Sequence, residues 1–561
     1  MNEIKTKLGK YEELFQAKME ELKAQKIISR IWEKDHAVWR NDPAEISNRL
    51  GWLDCADVAQ TKFNEITEFV EQIKGEGFKN VLLMGMGGSS LAPEVFAKIF
   101  GVKDGYMNLS VIDSTHPDAV KELEDNLDPK ETLYIVSTKS GGTVETISFM
   151  KRFYNDTLQV VGAEKVGKHF TAITDPGSGL ESMAKELNFR KIFLNDPNIG
   201  GRYSALSFFG IVPAALIGVD LHELFIEVQK MIDYSKEENN SVAQLGVAVG
   251  VLAEHGVDKL TFILSDGLKP FGAWVEQLIA ESTGKDGKGI LPVEGEELLA
   301  PIEYSHDRVF VNLHLADDNK HTQHVSLLAE AGFPVIDIPM ENIIELGAEY
   351  FKWEMATVIA SWVIDIQPFD QPNVESAKVI ARKMMSDYLE KGELTKLTPT
   401  LTSDSIKVYN DVDCKSVSEV LPEFLKNINE GENSIIGRSY IAIQAYVKMD
   451  ENSERILHEL RTKLQKKYQV ATTVGFGPRF LHSTGQLHKG DAGNGLFIQI
   501  VSPSKIDVDI PDEPGKEESS ITFGVLIESQ VLGDRQALID NNRKIIRFDV
   551  SDLSEDINKL V

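Results

Sequence analysis

The sequence has few cysteines and no block of basic residues. Only two of its 561 residues are cysteine, Cys55 and Cys414. That number is too small for a disulfide framework or a structural zinc site, and it indicates a reducing compartment, the cytoplasm. Lys and Arg total 59 against 87 Asp and Glu, which gives a formal net charge of −28. Because no Lys/Arg cluster offsets this charge, neither nucleic acid nor an anionic membrane surface is expected as a partner.

Long apolar segments are also missing. The longest apolar run, residues 205–219, contains Ser207, Gly210 and Pro213. It is shorter than a membrane span requires, and we predict that it forms a buried core helix. The N-terminus, MNEIKTKLGKYEELF, carries charges where a secretion signal needs an apolar run, so we interpret it as the start of a helix.

The length predicts several domains, and the first part of the chain divides into two regions. Residues 1–56 are predicted to be an N-terminal helical extension, helical from Lys5 to about Lys34. Over residues 57–225 apolar strands alternate with helical patterns, which predicts a doubly wound parallel sheet. The predicted strands are 80–84, 108–112, 132–136, 169–173 and 191–194.

Two further α/β regions are predicted beyond residue 225. The second covers residues 226–393, and a polar stretch, TKLTPTLTSDS, is interpreted as the linker that follows it. The third covers residues 394–561. Its order of strands and helices resembles that of the second region, which suggests a partial duplicate. The predicted strands are 259–264, 308–313 and 334–338 in the second region and 440–447, 469–474, 495–501, 521–527 and 544–549 in the third.

Two loops that follow predicted strands combine glycines with hydroxyl side chains. They are GMGGSS at 85–90 and STKSGGTVET at 137–146. Glycines let backbone amides turn inward, and the helix after each loop directs its positive dipole end at the same place. Because ligands of doubly wound sheets bind at the carboxyl ends of the strands, the loops predict a site for a phosphorylated ligand. The candidate binding residues are Gly88, Ser89, Thr138, Lys139, Ser140 and Thr143.

The first loop also has two other interpretations. A dinucleotide site would use Asp113 as its ribose-binding acid, but Ser90 replaces the third glycine of that motif. In addition, Asp113 lies farther along the chain than the roughly 20 residues that the motif needs. The plain alternative is a tight turn capped by serine. The second hydroxyl loop favours a ligand site.

An arginine and a glutamate are candidates for the chemistry. Arg202 follows two glycines in NDPNIGGRYS, and its guanidinium fork suits an oxyanion or a phosphate. A surface arginine is the plain alternative. Glu281 lies four residues after Gln277, on the same helix face and at a helix end, where partial burial would make it a better base. A solvated glutamate is the alternative there.

A lysine and a histidine complete the candidates. The prolines of QPFDQPNVESAK, at 367–378, end one helix and start another that carries Lys378; an exposed lysine is the plain alternative. His482, in GPRFLHSTGQLHKG, has the most open surroundings of the histidines, with His306, His321 and His324 as alternatives. A surface histidine is the plain alternative for each.

The order of these motifs resembles the glucose-6-phosphate isomerase family. The resemblance is greatest to the isomerase portion that some bacteria fuse to transaldolase, although this chain is too short to include a transaldolase barrel before it. It implies tandem sugar isomerase domains with parallel sheets, here followed by a C-terminal α/β extension. The matching motifs are GGS at 87–89, the hydroxyl loop at 138–146, GGRYS at 200–204, ES-x-GK at 281–285 and FDQ-x-x-VE-x-x-K at 369–378.

The resemblance implies reversible isomerisation of glucose 6-phosphate and fructose 6-phosphate through an enediolate, in glycolysis and gluconeogenesis. The two hydroxyl loops would bind the sugar phosphate, and no metal or cofactor is implied. Glu281 would move a proton between C2 and C1 while Arg202 stabilises the enediolate. Gln277 would contact the sugar, and Lys378 would assist a histidine in ring opening.

The sequence departs from the family at this histidine. The common bacterial form places it shortly after the glutamate in an LHS-x-GQ context, and here that pattern occurs at 481–486. We therefore predict that His482 opens the ring, with His306 second. In this family the histidine can come from a neighbouring subunit, so a homodimer is expected. Gly141 and Gly142 replace bulkier residues of the phosphate loop, which predicts a more mobile loop.

Three other functions stay open at this point. The first is a related phosphosugar isomerase that also accepts mannose 6-phosphate. The second is a non-catalytic phosphosugar-binding regulator, which would need the phosphate loops but no base. The third is a dinucleotide-dependent dehydrogenase.

Overall fold

The fold is mixed α/β and contains three large sheets, as the sequence predicts. The computed structural model describes residues 4–410, 412–426, 428 and 439–560. Residues 1–3 and 561, which belong to the predicted bounds of the first and last regions, lie outside the described part, as do residues 429–438 of the third region. The large sheets have five, five and six strands.

The N-terminal extension begins with a strand, which corrects the helix predicted from Lys5. This strand pairs antiparallel with residues 335–337 of the second region. The buried side chains of Ile4 and Leu8 lie on either side of it. Pairing with a sheet edge therefore overrides the helical pattern of the local sequence. The elements are β1 (Lys5–Lys7), α1 (Glu12–Ala24), α2 (Ile27–Trp32) and α3 (Cys55–Gln60).

The first region holds a fully parallel sheet in the order β3-β2-β4-β5-β6. The predicted strands are confirmed to within a residue, and the predicted core helix is the buried α9. The strands are β2 (Asn80–Met84), β3 (Asn108–Ile112), β4 (Thr132–Ser137), β5 (Phe170–Thr174) and β6 (Lys191–Leu194). The helices are α4 (Phe63–Gly75), α5 (Leu91–Phe100), α6 (Pro117–Asn126), α7 (Val144–Val161), α8 (Gly179–Glu186) and α9 (Phe208–Leu216).

The second region holds a sheet in the order β1-β10-β9-β7-β8, parallel except for β1. The short β8 has only three residues and was not predicted. The strands are β7 (Lys259–Leu264), β8 (Leu291–Val293), β9 (Arg308–Leu315) and β10 (Val335–Met340). The helices are α10 (Leu221–Ser235), α11 (Ser241–Glu254), α12 (Phe271–Thr283), α13 (Thr322–Glu330), α14 (Leu346–Val363) and α15 (Val374–Lys391).

The third region holds a sheet in the order β11-β12-β18-β15-β13-β14 and a small two-stranded sheet. The strands are β11 (Leu401–Thr402), β12 (Ile406–Tyr409), β13 (Tyr440–Tyr446), β14 (Thr472–Phe476), β15 (Gly495–Val501), β16 (Asp509–Ile510), β17 (Ile521–Thr522) and β18 (Lys544–Val550). The helices are α16 (Val417–Phe424), α17 (Glu451–Tyr468), α18 (Gly485–Gly490), α19 (Phe523–Asp540) and α20 (Leu553–Asp556).

Two predictions fail in this region. The predicted linker contains β11, which pairs with β12 directly after it, and β12 extends the sheet from β18. The predicted strand at 521–527 is mostly the first turn of α19. The Thr522 side chain caps this helix by accepting a hydrogen bond from the Val525 amide, and Phe523 and Leu526 are buried three residues apart. Helical spacing therefore decides a segment that looks like an alternating strand.

The second and third sheets share one strand order. In space, β10-β9-β7-β8 corresponds to β18-β15-β13-β14, and an antiparallel strand, β1 or β12, borders each set. This agreement supports the predicted duplication, which stays a prediction together with the domain bounds. Among the described residues, no helix has the length and apolar character to cross a membrane.

Candidate active site

The two predicted loops lie side by side at the carboxyl ends of β2 and β4. These strands are neighbours in the sheet, although β3 comes between them in sequence. The order in which successive strands are added to the sheet therefore reverses at this point. The Ser137 hydroxyl, at the end of β4, donates to the backbone oxygen of Ser89 at 3.0 Å. In the second loop, the Thr138 and Thr143 hydroxyls lie 3.0 Å apart. The loops thus occupy the crevice where doubly wound sheets bind ligands.

Glycines of the first loop allow other segments to approach closely. A Cβ atom on Gly88 would lie 2.0 Å from the backbone oxygen of Gly201, next to Arg202. A Cβ atom on Gly87 would lie 2.8 Å from both the Gln277 amide nitrogen and the His482 backbone oxygen. These glycines therefore let Arg202, Gln277 and His482 gather beside Ser89.

Lys139 has different partners from those that the sequence predicts. Its ammonium contacts the Asp175 carboxylate and donates to the backbone oxygen of Pro197 at 2.8 Å. Burial raises the pKa of Asp175, although the lysine opposes this shift. Lys139 thus connects the phosphate loop to the segments after β5 and β6, and its role in sugar phosphate binding stays a prediction.

Arg202 is buried, which rules out the surface alternative. Its side chain is 3% exposed, and one terminal nitrogen lies 3.2 Å from Glu281 Oε1. The Nε group donates to the Ser282 hydroxyl at 2.8 Å, and a terminal nitrogen donates to Gln371 Oε1 at 2.9 Å. The remaining contacts are with the backbone oxygens of residues 368 and 370. The guanidinium is therefore fixed from several sides beside the carboxylate.

Glu281 lies near the end of α12 and is only 13% exposed at its side chain. Gln277, one turn earlier, donates to Glu281 Oε2 at 3.1 Å. One carboxylate oxygen thus faces an amide and the other a guanidinium. The solvated-glutamate alternative is therefore wrong, and the arrangement suits a base that acts beside a cation.

His482 comes from the third region, in a short 3-10 helix that spans Arg479–His482. Its Nε2 atom lies 3.0 Å from Glu145 Oε1, and its backbone oxygen accepts a hydrogen bond from Gln277 at 2.7 Å. Glu145 belongs to the first turn of α7, directly after the phosphate loop. Burial would raise the pKa of Glu145, but the adjacent His482 lowers it below the usual value.

His306 lies elsewhere. It precedes β9, the central strand of the second sheet, and its ring stacks against Phe333 with 6.3 Å between ring centroids. The structure therefore brings His482, and not His306, next to Gln277.

Arg479 anchors the His482 segment to the first region. Its guanidinium forms ion pairs of 2.8 Å with both Glu94 and Asp113. Burial would raise the pKa of Glu94, but Arg479 and Lys98 lower it to about 2. Asp113, the acid of the dinucleotide alternative, is thus occupied by Arg479 and by the Ser90 hydroxyl at 3.1 Å. These contacts disfavour the dehydrogenase interpretation.

Gln486, four residues after His482, joins two helices of the site. Its Oε1 atom accepts hydrogen bonds from the Asn373 and Val374 amides, at the start of α15. Its Nε2 atom donates to the backbone oxygen of Gly284, just beyond α12, at 2.9 Å and to Asn373 Oδ1 at 2.7 Å. The end of the helix that carries Glu281 is thereby tied to the start of the helix that carries Lys378.

Lys378 lies at the border of this cluster. Its side chain is 40% exposed, and its ammonium lies 3.8 Å from the Glu375 carboxylate. Its charge also contributes to lowering the pKa of Glu145, after the larger contribution of His482. Lys378 is therefore within electrostatic range of the Glu145 and His482 pair, and its role in ring opening stays a prediction.

Comparison with known proteins identifies the family pattern in the first half of the chain. Residues 39–291 match the phosphoglucose isomerase family. A probable glucose-6-phosphate isomerase of Methanococcus maripaludis is 26% identical over 386 residues, which span 61% of this chain and 85% of that protein. A glucose-6-phosphate isomerase of Carboxydothermus hydrogenoformans is 32% identical over 256 residues, 42% of this chain and 53% of that protein. These matches support the phosphoglucose isomerase family at low identity.

Solved structures share the fold. A glucose-6-phosphate isomerase from Chlamydia trachomatis superposes with a TM-score of 0.56 at 18% identity, over 67% of this chain and 86% of that one. A hypothetical protein from Thermus thermophilus superposes with a TM-score of 0.57 at 23% identity, over 68% and 99%. The relation to the isomerase portion of transaldolase fusions stays a prediction.

The match to phosphoglucose isomerase includes both phosphate loops, Arg202 and Glu281, but ends before Lys378 and His482. Four residues of the cluster were not among the candidates, namely Glu145, Lys285, Gln486 and Gln530. Lys285 belongs to the quoted ES-x-GK motif and Gln486 to LHSTGQ, so both could have been found there. Gln530 lies in α19, where no motif marks it. Among the described residues, no group of three or more His, Cys, Asp or Glu is arranged to hold a metal ion.

Proposed function

We propose that the protein is a glucose-6-phosphate isomerase that interconverts glucose 6-phosphate and fructose 6-phosphate through an enediolate. One observation carries this proposal: the buried pair of Arg202 and Glu281, at 3.2 Å, lies beside Gln277 and two glycine and hydroxyl loops. A carboxylate beside a fixed cation is what proton abstraction next to a carbonyl requires.

The phosphate would bind at the loops after β2 and β4. Ser89, Thr138, Ser140 and Thr143 can donate hydroxyl hydrogen bonds, and α7 begins at Val144 with its backbone amides facing the same loop. Phosphate binding there would hold one end of the sugar while C1 and C2 extend toward α12.

Glu281 would then take the proton from C2 of the open aldose and return it to C1, while the proton of the C2 hydroxyl passes to the C1 oxygen, so that the carbonyl group moves from C1 to C2. As C2 loses its proton, negative charge develops on the carbonyl oxygen, and the Arg202 guanidinium stabilises that charge. Gln277 contacts Glu281 and would hold both it and the sugar in place. The same steps in reverse convert fructose 6-phosphate to glucose 6-phosphate.

Ring opening would precede this step. The bond between C1 and the ring oxygen breaks, the C1 hydroxyl loses a proton, and the ring oxygen gains one. His482, whose Nε2 atom lies 3.0 Å from Glu145 Oε1, would move these protons. Lys378, whose charge acts on the same carboxylate, would assist.

We also propose a cytoplasmic location, a homodimer and a relation to the isomerase portion of transaldolase fusions. In this structure the histidine comes from the same chain as Glu281, so the homodimer does not depend on a histidine from a neighbouring subunit. Whether mannose 6-phosphate is also a substrate depends on contacts to the sugar hydroxyls at C2.

The test is conversion of fructose 6-phosphate to glucose 6-phosphate with a chelator present, for the unmodified protein and for Glu281→Gln. We expect Glu281→Gln to lower kcat by about 10³-fold, within the range for loss of a general base. Stabilisation against heat by fructose 6-phosphate should persist. Glu223→Gln, on the exposed face of α10, is the matched control. A protein that binds the sugar phosphate without any conversion would instead be a phosphosugar-binding regulator.

A further inference from the structure

Gln530 reaches the proposed ring-opening pair from the third region. It lies on α19, is 3% exposed, and donates from Nε2 to Glu145 Oε1 at 2.7 Å. The same carboxylate oxygen lies 3.0 Å from His482 Nε2. Glu145 therefore receives one neutral donor and one imidazole on a single oxygen.

A second contact fixes the orientation of this amide. The Thr115 hydroxyl lies 2.7 Å from Gln530 Oε1, in the segment between β3 and α6. A hydroxyl that donates here needs the amide oxygen on its side, which leaves the NH₂ group facing Glu145. Thr115 is fully buried, so water does not compete for this position.

Few charges surround the pair. The positive charges of His482 and of Lys378, on α15, lower the pKa of Glu145. The charge of His482 also contributes to lowering the pKa of Glu375, on α15. Asp534, one turn after Gln530 on α19, is paired with Lys489 at 2.7 Å. Tyr446 on β13 is buried and its pKa is well above the usual value, so its hydroxyl stays neutral.

Glu145 is thus a buried carboxylate whose ionised form depends on a small number of neighbours. An ionised carboxylate away from water is costly unless donors surround it. Loss of a donor from such a group leaves it partly unsatisfied, with a larger effect than loss of a hydrogen bond at the surface.

We propose that Gln530 is a positioning residue that keeps the Glu145 carboxylate ionised and directed at His482. In this way α19 of the third region completes the machinery for ring opening. The inference rests on the proposed function, since it assigns Gln530 to the reaction of that same site.

Two variants test the inference, one without a charge and one with a carboxylate at this position. Gln530→Leu removes the donor and adds no charge. Gln530→Glu keeps the acceptor for Thr115 but places a second carboxylate beside Glu145, so that one of the two must hold a proton. For glucose 6-phosphate we expect kcat to fall about tenfold in Gln530→Leu, the size typical of one lost hydrogen bond to a charged group. KM should stay within about twofold, because the phosphate loops are untouched.

The pH dependence of kcat separates positioning from a structural role. Loss of the donor raises the pKa of Glu145, so the acid limb of the profile should move to higher pH in Gln530→Leu. It should move farther in Gln530→Glu, where like charges oppose each other. A packing defect alone would lower kcat without shifting the acid limb farther in Gln530→Glu than in Gln530→Leu.

Gln536→Leu is the matched control, because it makes the same change on α19 at a residue whose amide bonds only within its own helix, to Asp540. Its kcat and pH profile should equal those of the unmodified protein. Superimposable acid limbs in both Gln530 variants, with the unmodified protein active, would overturn the inference and leave the proposed function intact. Inactivity of the unmodified protein would overturn the proposed function and, with it, this inference.

Discussion

The guanidinium of Arg202 lies 3.2 Å from the carboxylate of Glu281, and both side chains are sheltered from solvent. The arginine also contacts Ser282, Gln371 and two backbone oxygens, so its position does not depend on the glutamate alone. A fixed cation beside the base is therefore a permanent part of the site.

Replacing Arg202 by lysine should preserve the charge but lose the fork. Lysine is a point charge on a flexible stem and cannot form these contacts together. We expect kcat to fall by about 10²-fold, in line with loss of one stabilising donor for a developing oxyanion. Arg455→Lys, on the exposed face of α17, is the matched control. Steady-state kinetics with fructose 6-phosphate measure the effect, and a loss under threefold would contradict the role.

Lys285 should cause kcat to fall at alkaline pH, which gives the pH profile an alkaline limb. Burial, assisted by the charge of Arg202, lowers the pKa of Lys285 to about 8 from its usual 10.5. The charged lysine pairs with Asp370 at 2.9 Å, and the Asp370 backbone oxygen holds Arg202. Above about pH 8 the neutral lysine loses this pairing, so kcat should fall. Lys285→Arg keeps the charge and should remove the limb; a limb that persists in this variant would exclude Lys285 as its origin.

The same group should affect stability in the opposite direction. Between about pH 8 and 10.5 the unfolded chain holds the Lys285 proton and the folded protein does not. The free energy of unfolding should therefore gain a contribution that rises with pH in this window. Chemical denaturation of the unmodified protein and of Lys285→Arg, compared across the window, isolates this contribution.

Both polar atoms of the Gln486 side chain, Oε1 and Nε2, should contribute to the stability of the protein. Gln486→Met removes all of its hydrogen bonds, and we expect the free energy of unfolding to fall by about 2 to 4 kcal/mol. Gln486→Glu keeps the two bonds that it accepts from the start of α15, but its buried carboxylate would face the two oxygens to which Nε2 donates, so a loss at least as large is expected. Urea unfolding measures both, with Gln16→Met on the exposed side of α1 as the control. Equal stability of all three variants would refute the linkage.

The two glycines of the phosphate loop should respond differently to alanine. Gly141 has a φ of +71°, and a Cβ atom there would lie 2.4 Å from the Leu180 amide nitrogen. Near Gly142 the closest atom is the Ser140 hydroxyl, at 4.0 Å. We expect Gly141→Ala to raise KM and lower thermal stability, and Gly142→Ala to leave both unchanged. The reverse order would show that the loop does not need its close packing on Leu180.

Local sequence predicts the buried strands well because each is a largely apolar run. The strands β2, β4 and β5 are almost wholly buried and agree with their predicted positions. Edge elements fail. Lys5–Lys7, Leu401–Thr402 and Ile406–Tyr409 are short and partly polar, and they become strands only through pairing with a sheet formed elsewhere.

In the site, too, residues within local motifs could be predicted, whereas contacts between distant segments could not. Ser89, Arg202 and Glu281 belong to motifs whose residue types already indicate their chemistry, and His482 was found through its hexapeptide. The contacts of Gln486 with Asn373 and of Gln530 with Glu145 could not be predicted, because only the docking of the third region brings these residues together. The role of Lys139 stays a prediction, since its neighbours in sequence indicate a phosphate site while its contacts in the structure are with Asp175 and Pro197.

The position of β18 affects how the enzyme is made. This strand, Lys544–Val550, lies between β12 and β15, so the sheet behind the His482 segment is incomplete until residue 550 has left the ribosome. By then the sugar phosphate loops and Glu281 have long been synthesised. A chain cut before this strand would keep the phosphate loops, Arg202 and Glu281, but it would lack an inner strand of the sheet behind His482. Ring opening would thus be the last part of the reaction to become available during synthesis.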